Sequence, residues 1–130
     1  MSEGDFRALC LRLCREQGWE LLPGGIRVPL SDGRAQLVGV GSFVHSGRSM
    51  VRLTTSIGPA GRLPAVRHAV ALRINAELAH GALALRDDEL VMVDTLLVDE
   101  TGAPELEAAV LYLAETADAW EARLYGGDEN

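Results

Sequence analysis

Between Val66 and Val98 the hydrophobic period changes from helical to alternating, and few architectures accommodate that change. Val66, Val70, Ile74 and Leu78 recur at helical spacing. With Ala69, Leu72 and Ala76 they stripe one face of a helix predicted from Leu63 to about His80. Pro64 suits its first turn, because the ring fixes φ at a helical value and the missing N–H would be unpaired there anyway. Gly81 stops it. Two short apolar runs follow, Ala82 to Leu85 and Leu90 to Val98, joined by a tight turn at Asp87-Asp88. A helix followed at once by a hairpin must lay its stripe on the strands, so the segment predicts a two-layer α+β core.

The flanking segments have the same make-up. Asp5 caps a first helix with the apolar face Phe6, Leu9, Cys10, Leu13 and Cys14, ending near Gln17 with Gly18 as its stop. Trp19, Leu21 and Leu22 lead to a turn at Pro23-Gly24-Gly25. Ile26, Val28 and Leu30 then alternate as a first strand, and Ser31-Asp32-Gly33-Arg34 turns the chain into a second strand, Ala35 to Val44. Gly39 and Gly41 share one face of that strand with Leu37 and Phe43; they weaken it but let a helix or a partner chain approach closely. His45-Ser46-Gly47-Arg48 leads to a third strand, Ser49 to Ile57, closed by Gly58-Pro59-Ala60-Gly61. The last helix opens at Thr101-Gly102-Ala103-Pro104 with the seam Leu106, Val110, Leu113, Ala117, Trp120 and Leu124, and Gly126-Gly127 ends it. The predicted order is α-β-β-β-α-β-β-α, an antiparallel sheet with helices mainly on one face. Without repeat or linker, residues 1–130 read as a single domain with frayed ends at 1–4 and 126–130.

Charge is divided unevenly. Residues 1–86 hold eleven arginines against six carboxylates, about +5, whereas residues 87–130 hold thirteen carboxylates against Arg123, about −12. The net −7 repels phosphate backbones and the arginines stand singly, so nucleic acid is excluded as a partner. Cys10 and Cys14 share a helix face, where the geometry forbids an ordinary disulfide, and no further Cys or His pair completes a metal site; they read as buried thiols. His68 and His80 stand twelve residues apart, about 18 Å along a helix, too far for one metal. No apolar run spans a bilayer and no leader is present, so a cytoplasmic protein without a membrane partner is expected.

Chemistry is thinly supported. Gly39-Val40-Gly41 lacks the third glycine and the helix of a dinucleotide fingerprint. Ser46, with His45 and Asp32, has no nucleophile elbow, and Asp87-Asp88-Glu89 has no calcium-loop spacing. Catalytic residues, metals and cofactors are therefore expected to be absent. Trp120 belongs to the helical seam, whereas Trp19 suits either the core or an exposed partner anchor.

The run Asn75-Ala76-Glu77-Leu78 through Gly81-Ala82-Leu83-Ala84-Leu85, then Asp88-Glu89-Leu90-Val91-Met92 and the helix Leu106 to Leu124, resembles the type III secretion chaperone-like fold. That group includes the secretion chaperones and the YbjN-type proteins, and the resemblance covers nearly the whole chain as layout. It implies a bacterial, non-enzymatic homodimer over which an extended partner segment wraps. Trp19, Ile26, Val28, Leu30 and Phe43, with the first helix face, would then meet the partner, and Val66, Val70 and Ile74 would form the dimer contact. The arginine-rich first half departs from the secretion chaperones and favours the YbjN-like branch. The alternative is a small-molecule-sensing regulatory domain, with a pocket between sheet and helices where Arg52 or Arg34 meets an anion.

Overall fold

The structure is a computed structural model that describes residues 3–125. Helix α1 (Glu3–Gln17) is followed by strands β1 (Glu20–Leu22), β2 (Gly25–Pro29), β3 (Ala35–His45) and β4 (Arg48–Pro59). Helix α2 (Ala65–Asn75), strands β5 (Ala82–Arg86) and β6 (Glu89–Leu97) and helix α3 (Ala103–Leu124) complete the chain. All strand pairs are antiparallel, in the order β1-β2-β3-β4-β6-β5. This is the α+β arrangement expected, with one additional strand at the edge. Three residues are too few to show a period, yet the Pro23-Gly24 turn folds Glu20–Leu22 back on β2, pairing Leu21 with Ile26. The terminal stretches 1–2 and 126–130, including the Gly126-Gly127 stop, lie outside the described residues; Glu3 and Gly4 are helical.

Register explains the core. Ile26, Val38, Thr55, Met92 and Leu83 are successive cross-strand neighbours over five strands, so their side chains share one face, and all are buried. Helices α1 and α3 cover that face with Phe6, Leu9, Cys10, Leu13 and Cys14, and with Leu106, Val110, Leu113, Ala117 and Leu124. Thr55 is polar within this row. Its hydroxyl donates to the Leu37 carbonyl at 2.7 Å and accepts from Gln36 Nε2 at 2.8 Å, which satisfies it without water. Trp120 is only half-buried, with the Arg123 guanidinium 5.0 Å from its ring centroid.

Helix α2 is shorter than the hydrophobic period predicts. It starts after Pro64 and ends at Asn75, leaving Leu78 and His80 outside it. The cause is tertiary: Asn75 Nδ2 donates to the Leu83 carbonyl at 2.9 Å, and Asn75 Oδ1 accepts from the Leu83 N–H at 2.6 Å. One amide thereby mimics a neighbouring strand at the outer edge of β5. The face of α2 that is buried also differs from the expected stripe, because Ala71 is buried while Val66 is 65% and Leu72 72% exposed.

Burial raises the Cys10 thiol from 9.0 to about 11, with a further push from Cys14. The folded pKa exceeds the unfolded one, so the unfolded chain loses its proton first. Stability that is complete below pH 9 should therefore fall as pH rises towards 11. The urea midpoint is expected to decline across that window and to decline less in Cys10→Ala. A slope unchanged by the substitution would show that the thiol is not protected.

Candidate binding surfaces

The residues predicted to meet a partner are separated by the fold. Ile26 and Val28 have no exposed surface and belong to the core row, so they are corrected from contact residues to packing residues; the same holds for the apolar face of α1. Alternation reveals that one face of β2 is apolar but not that helices already cover it. Trp19 and Leu30 are half-buried against this core. Phe43 is half-buried near the far end of β3, seven residues from Gln36, the partner of Val28, or about 23 Å along the strand. It points to the opposite face of the sheet. Of the residues expected at the dimer contact, Val66 is exposed whereas Val70 and Ile74 are half-buried.

The arginines named for an anion pocket are placed differently too. Arg34 is held by Asp118 of α3, through Nε to Oδ1 at 3.1 Å and Nη2 to Oδ2 at 2.8 Å, with Asp32 adding a contact at 3.4 Å. It ties the β2–β3 turn to the last helix. Arg52 lies on the uncovered face, not between sheet and helices. Asp32 and His45-Ser46 occupy turns at opposite ends of β3, so they form no nucleophile set. Among the described residues no three His, Cys, Asp or Glu side chains converge as a metal site, and no helix is long and apolar enough to cross a membrane.

Among the described residues, three of the concave surfaces bear on a binding role. A cleft of about 340 Å3 beside α1 is lined by Phe6, Arg7, Cys10, Leu21, Leu22 and Val40. A small apolar groove of about 110 Å3 runs between α2 and the β5 edge, with Ala71, Leu72, Leu83 and Leu85 among its walls. The third, about 490 Å3, opens on the face that the helices leave bare, over Gly39, Gly41, Phe43, Arg52, Thr54 and Arg86. Arg86 escapes a reading of the sequence because β5 and β3 meet this groove only through the strand order.

No protein-family model matches the sequence, and no curated protein matches it. Among solved structures, a chain of the HopA1-SchA chaperone-effector complex is similar at a TM-score of 0.61 and 13% identity, over 89% of this chain and 92% of that one. The Yersinia pestis type III secretion chaperone SycH, solved in complex with a stable fragment of YscM2, gives 0.53 and 16%, over 86% and 96%. At such identities the likeness is one of fold. The chain has the fold of type III secretion chaperones over most of its length.

Proposed function

We propose that this chain is a non-enzymatic, chaperone-like protein-binding module of the bacterial cytoplasm, which works as a homodimer and holds an extended segment of a partner polypeptide. The observation that supports it most is the side of the sheet without helices: helices pack on one face, while on the other Leu37 stays 46% exposed and Phe43 is only partly buried, beneath the Arg52 guanidinium. Trp19 and Leu30 extend the partner surface around the β1 edge. In this reading the dimer contact is made by Val66, Val70 and Ile74, and the exposed apolar side chains of Leu72, at 72%, and Leu85, at 57%, support it. The arginine-weighted first half suits the YbjN-type branch of the fold group.

Sedimentation velocity at about 10 µM is expected to show a species of twice 13.9 kDa, converted to monomer by Val66→Asp with Leu72→Asp. Cross-linked capture from native lysate should return a stoichiometric polypeptide that is lost with Trp19→Glu or Phe43→Glu. Variants whose circular dichroism matches the wild type make that loss interpretable. A monomer that captures only itself would end the reading.

A further inference from the structure

The groove on the uncovered face has a floor of backbone. Gly39 and Gly41 of β3 stand opposite Thr54 and Arg52 of β4, and neither has the positive φ that favours glycine. Internal packing does not require them either. A Cβ at Gly41 would come no nearer than 3.9 Å to a neighbouring atom, and one at Gly39 no nearer than 3.4 Å, both ordinary contacts. Glycine inside a strand weakens it by backbone entropy. Gly39 is half-buried, with the Gly24 carbonyl 3.7 Å from where its Cβ would lie, whereas Gly41 is exposed and leaves main chain bare where another main chain can lie against it.

The walls of the groove are cationic. Arg52 Nε donates to Thr95 Oγ1 at 3.1 Å and its guanidinium lies 4.6 Å from the Phe43 ring centroid, which fixes the group while leaving its Nη donors without a carboxylate. Arg86 borders the same groove, and no acidic residue lines it. Glu89, across from Arg86 in register, accepts from the Ser56 hydroxyl. Among the described residues Arg34 pairs with Asp32 and Asp118 and Arg48 with Glu100, while Arg52 and Arg86, like most of the other arginines, form no ion pair. In a chain of net charge −7, this is a local reversal of sign over exposed backbone.

We propose that the groove is a docking track for an extended acidic segment of the partner polypeptide, with its main chain over Gly39 and Gly41 and its carboxylates on Arg52 and Arg86. This rests on the protein-binding reading above and adds the chemistry of the partner. Guanidinium forks match carboxylates in bidentate geometry, and an extended chain presents every second side chain to the same side.

Fluorescence anisotropy tests it with labelled peptides of about ten residues that alternate valine with glutamate, lysine or serine. The glutamate peptide should bind at least about tenfold tighter than the other two. Arg52→Glu with Arg86→Glu should abolish that preference. Gly41→Val should weaken binding about tenfold without lowering Tm, because the added side chain fills the groove and not the core. No binding, equal affinity for the three peptides, or binding indifferent to Gly41→Val would overturn the track. So would displacement of the peptide by millimolar citrate, which identifies a small-anion site, or dimer dissociation caused by Gly41→Val, which identifies an interface between copies. A partner captured equally by wild type and the arginine double variant removes the track and leaves the module; glutamate-peptide binding by a protein that captures no partner does the reverse.

Discussion

Replacing Gly25 with alanine is expected to cost about 3 to 5 kcal/mol of stability and to lower Tm by roughly 10 to 25 °C. Gly25 has φ +140, a conformation that side chains rarely adopt. Its Cβ would run into the Val38 carbonyl oxygen and lie 2.8 Å from the Gly39 Cα. Those neighbours are main chain of β3, so no rotamer change relieves the clash; either β2 shifts away from β3 or the β1–β2 turn rebuilds. Thermal unfolding followed by circular dichroism reads the effect. Gly41→Ala is the matched control, since its Cβ meets only ordinary contacts and should leave Tm unchanged or raise it. Equal melting of the two variants would mean that β2 does not lie against β3 at Gly25 as described.

Leu113→Ala should cost about 2 to 5 kcal/mol. Leu113 has no exposed surface and sits mid-seam on α3 within the core, its Cδ2 3.4 Å from where a Cβ at Gly81 would lie. Truncation leaves a cavity in a close-packed core, which relaxes only partly around it. Urea titration is expected to show a lower midpoint with an unchanged m-value, the mark of lost stability without a changed unfolded state. Leu72→Ala removes the same atoms from a side chain 72% exposed, and in the monomer should cost less than about 0.5 kcal/mol. Similar losses for the two leucines would refute the assignment of α3 as the core helix.

These two sites mark what a sequence can and cannot disclose. The α3 seam is local: its period is written in consecutive residues, as is the buried face of α1, and both are buried as read except at Trp120, which is half-buried. The hairpin turns are equally local. What escaped depends on partners distant in the chain. Helix α2 keeps its apolar period to Leu78 but ends at Asn75, whose amide is bound to Leu83. Alternation in β2 distinguishes two faces yet assigns neither to helix or solvent, so it cannot check the partner contact that the resemblance implies for Ile26 and Val28, which lie in the core. Arg34 meets Asp118 eighty-four residues away. The groove on the bare face gathers β3, β4 and β5, and only the strand order brings Arg86, three strands away, to the rim of the groove that Gly39 and Gly41 floor.

Asn75 has a consequence for how far assembly can go. A sheet with two long open margins can recruit copy after copy and grow into fibres. Here one margin is the three-residue β1, and along the other a side-chain amide already occupies both outward groups of Leu83. Neither margin offers an uninterrupted template, so the molecule can display an adhesive face while its growth stays finite.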